Sequence, residues 1–512
     1  MYKYHQEIQF LENEYWWGGI VDEGINMPFS NFYSLKDINE NNYNNQVTSF
    51  FISSLGRFIY SSQPVRFKID NNVLIIDSIN KIKVDDSCKN IKEAYYKCAK
   101  KNFINEAKYP CLEMFKIPQY NTWIEMNYHV SEEKILNYAK SIIDNGFRPG
   151  ILMIDDGWQE DYGTWDFNMK NFKNPKLMIK KLHKMGFKVM LWVVPCVSPD
   201  SYIFRQGEAE NIFYKERKSK DTLIMKWWDG NSAVLDLTNK KANDWFKKQL
   251  DYLQNEYGVD GFKFDGADSH FYPKNGAFDK NMPRIHQARL YSSFASNYNL
   301  NEMRACFNCQ GMPLAQRLCD KAHSWDDRGI NTLIPNGIAM SLLGYVYCCP
   351  DMIGGGLVGD FVNNNYQNID EKLFVRYAQI STFFPMMQFS LGPWKVLNEE
   401  NLKIVKKCCD IHESIYPYIK GLVKKASIDH SLIIRPLIFN YPNKVEYATI
   451  KDEFMLGSKY LIAPITSKDT YKRDVVLPPG KWLSDLNEEF IGNQTITIDV
   501  PLSRIPYFKK IK

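Results

Sequence analysis

The chain has 512 residues, enough for about two to four domains and a large core. Hydrophobic residues make up 45% and charged residues 24%, the balance of an ordinary water-soluble globular chain. A net charge of +5, with no dense Lys/Arg block, argues against a nucleic-acid partner.

The first 115 residues read as short alternating segments with turn signals, an N-terminal β-sandwich domain. Within them "RFIYSSQPVRFKIDNNVLIIDS" (57–78) places two β-rich runs around Asn71–Asn72, and the Asn-rich "INENNYNNQ" (38–46) reads as a solvated loop. The N-terminus lacks the charged and apolar regions of a signal peptide, and no uncharged apolar run reaches about 18 residues. Eleven cysteines, two pairs of them adjacent, show no metal-ligand spacing and suit a reducing compartment. The expectation is therefore a cytoplasmic protein with no membrane contact, free to form a homo-oligomer.

From about 116 to 405 strands and helices alternate. "YNTWIEMNY" (120–128) is strand-like. Ser131 caps a helix that carries Glu132 and Glu133 in its first turn, with Ile135, Ala139, Ile142 and Ile143 as its apolar stripe and Gly146 at its end. "GILMIDD" (150–156) is a buried strand ending in Asp155 and Asp156. Asn174 and Pro175 start the next helix, Gly186 ends it, and "FKVMLWVVP" (187–195) follows as a strand. A helix around 240–256 ends at Gly258, and the strand after it delivers Asp265. "EMRACFN" (302–308) and "GYVYCCPD" (344–351) complete the visible set.

Such alternation makes a parallel sheet, either open and doubly wound or closed as a (β/α)8 TIM barrel. No glycine-rich phosphate loop follows a strand, which counts against the open nucleotide-binding form. The length fits a barrel with insertions, and in a barrel the acidic strand ends all reach one face. After about 405 short strands with Pro/Gly turns indicate a C-terminal β-sandwich region, 406–512.

A ring of carboxylates and aromatic residues at a barrel mouth suits glycoside hydrolysis. One carboxylate traps an oxocarbenium-like centre while a protonated carboxyl releases the leaving oxygen. The same residue types could also hold Mg²⁺ or Ca²⁺.

The ordered motifs resemble glycoside hydrolase family 31 over most of the chain. "VDGFKFDGAD" is similar to that family's nucleophile strand. "MIDDGW", "KWWDGNSAVLDLTN" and "SLLGYVYCCPDMIGGG" resemble other strand ends of its barrel, and "EFMLGSKYLIAPI" with "LPPGKW" resembles its trailing β-domain. Within the family the chain looks closest to the clade of the myogenesis-regulating glycosidase and bacterial α-galactosidases, on "QYNTWIEMNY", "FKFDGAD" and "FFPMMQFSLGPW". The Arg-x-His and Trp-Ile-Asp-Met-Asn-Glu motifs of the α-glucosidase branch are missing.

The resemblance implies a retaining exo-α-glycosidase for terminal α-galactosides that needs no cofactor or metal. α-Glucosides, α-xylosides and sulfoquinovosides are the alternative substrates, and a non-catalytic carbohydrate-binding barrel is the alternative class. Asp265 takes the nucleophile position. Asp320, five residues before Trp325, takes the acid/base position, although it stands in Cys-Asp-Lys where relatives have Gly-Asp-Asn. Asp326 and Asp327 remain the other acid/base candidates and otherwise read as first-turn helix carboxylates. The two catalytic carboxyls of a retaining enzyme are expected about 5–5.5 Å apart. Asp155, Asp156, Lys263, Arg304 and Asp351 are the candidates for binding sugar hydroxyls. Trp228 is expected as a stacking wall, with Trp192 and Trp123 as further aromatic candidates.

Overall fold

The computed structural model describes residues 2–278, 280, 282–362, 366 and 369–512. Eight short parallel strands form its centre: β1 (Gln119–Asn121), β2 (Ile151–Ile154), β3 (Lys188–Val193), β4 (Gly261–Phe264), β5 (Asn301–Met303), β6 (Gln316–Arg317), β7 (Cys348–Cys349) and β8 (Gln388–Phe389). They neighbour one another in chain order from β1 to β7, and β8 pairs with β1. A parallel bridge between Ile353, just beyond β7, and Phe389 in β8 closes the ring. The fold is a (β/α)8 barrel.

Alternation along β4 explains what the barrel does with its residues. Phe262 and Phe264 turn outward and pack on Tyr298 and Tyr291 of the helix layer, with ring centroids 5.1 and 5.6 Å apart. Lys263, between them, turns inward to Asp155 at the end of β2. A strand buried on both faces can thus carry an ammonium because a carboxylate waits across the barrel.

The helices follow their sequence signals. Ser131 Oγ accepts the Lys134 amide at 3.3 Å to start helix α1 (Glu132–Asp144), and Asn174 Oδ1 accepts the Leu177 amide at 3.0 Å to start α2 (Pro175–Lys184). The buried stripe of α1 is Ile135, Tyr138, Ala139 and Ile142. Ile143, expected in that stripe, is 39% exposed, because the i, i+3, i+4, i+7 face leaves it on the flank. The segment 120–128 is strand only as far as Asn121. Its side chain accepts the Trp123 amide at 2.7 Å and turns the chain into a single helical turn, Trp123–Met126.

The N-terminal region holds two antiparallel sheets, one of four and one of three strands. Phe51 of one meets Phe67 of the other with ring centroids 4.8 Å apart. The hairpin of Val65–Asp70 and Val73–Ser78 turns at Asn71 and Asn72, both at positive φ (50° and 61°), the geometry that joins strands by two residues. The Asn-rich loop is solvated only in part: Asn42 and Asn44 are exposed. Asn41, Asn45 and Gln46 are fully buried against the barrel.

A 31-residue helix, α3 (Glu399–Asp429), leads from the barrel to a six-stranded antiparallel sheet and a separate two-stranded one. The expected division at 405/406 falls inside this helix. Among the described residues no helix is long and apolar enough to cross a membrane.

Candidate active site

The carboxyl ends of the strands converge on one cavity of about 340 Å³. Asp155 and Asp156 follow β2, Asp265 follows β4, Arg304 follows β5 and Asp320 stands beyond β6; all five line it. Trp192 reaches it from β3 and Lys263 from β4. Trp228 arrives on the turn of a hairpin, Met225–Trp227 with Gly230–Val234, inserted between β3 and β4.

Asp265 is held from three sides. Arg304 Nη2 donates to its Oδ1 at 2.9 Å, Trp192 Nε1 to its Oδ2 at 3.1 Å, and the Gly266 amide to Oδ1 at 3.0 Å. Burial pushes its carboxyl up, but the charges of Arg304 and Lys263 and the Trp192 N–H outweigh that and hold it well below the usual range. Arg304 is itself shared: its Nη2 also donates to Asp268 Oδ2 at 2.8 Å, and its guanidinium lies 5.7 Å from the centroid of the half-open Trp228 ring. Lys263 Nζ pairs with Asp155 Oδ2 at 2.6 Å.

Asp156 differs from Asp265. Burial, helped by the charges of Asp229 and Asp155, pushes its carboxyl up to about 8. Tyr162 donates to Asp156 Oδ2 at 3.0 Å, and Tyr128 donates to Asp229 Oδ1 at 2.7 Å. The cavity thus holds one carboxyl pushed down, Asp265, and another pushed up, Asp156.

Asp320 is more open, its side chain 35% exposed, and accepts from Arg317 Nη1 at 2.9 Å. Asp326 lies away from the cavity in a surface pair with Arg328 at 2.9 Å, and Asp327 is exposed beside it. Asp351, expected to touch substrate, does not reach the cavity. It is fully buried beneath the floor, accepting from Arg317 Nη1 at 2.7 Å and from the Lys321 amide at 2.6 Å. It stands beyond β7 as expected, but its carboxylate turns to a buried guanidinium. His323 is structural: Gly354 O lies 2.6 Å from its Nδ1, and Nε2 accepts the Asp370 amide.

Five residues of the lining were not anticipated. Tyr128, Leu357 and Val358 line the cavity, as does Cys319 beside Asp320. The N-terminal region supplies Asn44, which lines the cavity and whose carbonyl accepts from Arg304 Nη1. From the same loop Asn45 Oδ1 accepts the Cys319 amide at 2.8 Å, and Gln46 Nε2 donates to Arg317 O at 2.9 Å. No local sequence pattern marks these loop residues as part of the site, because their partners lie far along the chain.

The chain has known relatives. Residues 118–422 match the glycosyl hydrolases family 31 TIM-barrel domain and 430–511 the C-terminal domain of that family. The mouse myogenesis-regulating glycosidase is 31% identical over 79% of this chain and 58% of its own length. Alpha-glucosidase 2 of Bacillus thermoamyloliquefaciens is 24% identical over 75% of this chain and 52% of its own. The chain thus spans about half the length of the curated relatives it matches. A solved dextranase of Flavobacterium johnsoniae, complexed with glucose, superposes with a TM-score of 0.86 at 21% identity, covering 99% of this chain and 66% of the dextranase. On both family domains and the barrel that carries this cavity, the chain belongs to glycosyl hydrolase family 31.

Proposed function

We propose that the protein is a retaining exo-α-glycosidase that removes terminal α-galactosyl units. The observation that carries the reaction type is the pairing of Asp265, ionised and locked by Arg304 and Trp192, with the half-open Asp320 in one small cavity. Asp265 attacks the anomeric carbon while Asp320 gives its proton to the departing oxygen. A glycosyl ester on Asp265 results. Asp320 then takes a proton from water, the water attacks the same carbon, and the ester bond breaks with overall retention. Trp228 stacks on the sugar face, and Lys263, Asp155 and Asp156 bind hydroxyls. A cavity of about 340 Å³ suits one terminal sugar better than the middle of a chain.

The choice of galactose rests on the resemblance of "QYNTWIEMNY", "FKFDGAD" and "FFPMMQFSLGPW" to the α-galactosidase clade. The alpha-glucosidase among the relatives supports a second reading, an α-glucoside on the same machinery. A sulfonated sugar fits less well. The cavity's two cations, Lys263 and Arg304, are already paired with Asp155, Asp265 and Asp268.

Release of nitrophenol from a panel of α- and β-nitrophenyl glycosides tests both levels. Turnover of the α-galactoside, lost in Asp265→Ala, is the expected result. Turnover of the α-glucoside or α-xyloside would overturn the sugar and keep the mechanism. Silence across the panel would favour a carbohydrate-binding barrel. Asp320→Ala is expected to slow poor leaving groups by about 10²–10⁴-fold and activated aryl glycosides much less. Equal losses on both would remove Asp320 from the acid/base role.

A further inference from the structure

Arg317 touches no part of the cavity, yet it contacts the residue on which proton transfer depends. It ends β6 with its side chain 2% exposed. Its Nη1 donates to Asp320 Oδ1 at 2.9 Å, Asp351 Oδ1 at 2.7 Å and Leu318 O at 2.9 Å, and its Nε to Glu302 Oε1 at 3.2 Å. Glu302 and Asp351 are pinned at their other oxygens as well, by Gln388 Nε2 at 2.6 Å and the Lys321 amide at 2.6 Å. Asp320 is the member of the three that reaches the cavity.

We propose that Arg317, with Asp351 competing for it, is a positioning residue that aims Asp320 and governs how readily that carboxyl gives up and regains its proton. The proposal rests on the reading of Asp320 as acid/base. One guanidinium cannot neutralise three carboxylates. While Asp320 holds its proton, Asp351 and Glu302 share Arg317. When the proton leaves, Arg317 is already within hydrogen-bond distance of the new charge, and Asp351 limits how much of it Asp320 receives. Burial pushes the Asp351 carboxyl up, with Arg317 opposing and Asp320 adding to the rise. The other charged groups facing this cluster are Arg304 toward Asp320, and Lys263 and Asp265 toward Arg317. Tyr377, Cys319 and Cys349 face Asp351.

The test is the pH profile of kcat/KM on a glycoside with a poor leaving group. Asp351→Asn, of unchanged shape, leaves Arg317 more fully to Asp320. The alkaline limb is expected to move down by about one pH unit. Arg317→Met removes the cation, and the limb is expected to move up. If Arg317→Met does not fold, as judged by its melting curve, Asp351→Asn decides alone. An alkaline limb that stays in place in Asp351→Asn, or moves up, would overturn the proposal, provided Asp320→Ala still distinguishes good from poor leaving groups. If Asp320→Ala does not distinguish them, the acid/base reading fails first and this proposal fails with it.

Discussion

Asp265 sits between two cations that each keep another partner, Asp268 for Arg304 and Asp155 for Lys263. Removing it therefore strands no buried charge. Asp265→Ala is expected to lose about 10⁴-fold or more in turnover while its melting temperature stays within a few degrees of the parent, read by circular dichroism. Asp156 behaves oppositely. Unfolded, it ionises near its ordinary value of 3.8; folded, it holds its proton to about 8. Between those limits the native chain binds the extra proton, so stability falls as pH rises through the window. Asp156→Asn should flatten that slope, and melting curves from pH 4 to 9 check it. Asp265 and Lys263 were legible because one continuous stretch carries strand, charge and turn. Arg317 was not, since its partners Glu302, Asp320 and Asp351 come together only when β5, β6 and β7 align.

The loop around residues 41–46 shows why an element can be read correctly as a loop while its buried half goes unseen. Asparagine favours both turns and water, but here the Asn45 side chain accepts the Cys319 amide and Gln46 donates to the Gln316 side chain, partners some 270 positions away. No local pattern announces that. Asn45→Ala would leave this buried N–H without its acceptor beside Asp320. A cost of about 1–3 kcal/mol is expected, measured by urea unfolding, together with a lower kcat on poor leaving groups. Strands β1 to β5 were legible at their starts and mostly overlong at their ends, β7 was read from four residues too early, and the two-residue β6 and β8 were not read as strands. The residues past β1, β5 and β7 leave the sheet because side-chain acceptors and the cavity claim them.

Across the whole molecule, α3 makes the barrel and the C-terminal sheet one mechanical body. It packs on Glu371–Thr382 of the barrel layer and ends where the C-terminal sheet begins. A single calorimetric transition is expected, and two resolved peaks would contradict it. The N-terminal region reaches further still, because its Asn44 carbonyl steadies the arginine that steadies Asp265. Its sheets look like a separable ornament on the barrel, yet the loop between two of their strands forms part of the pocket wall. A barrel cut free of that region would lose a brace of its own active centre.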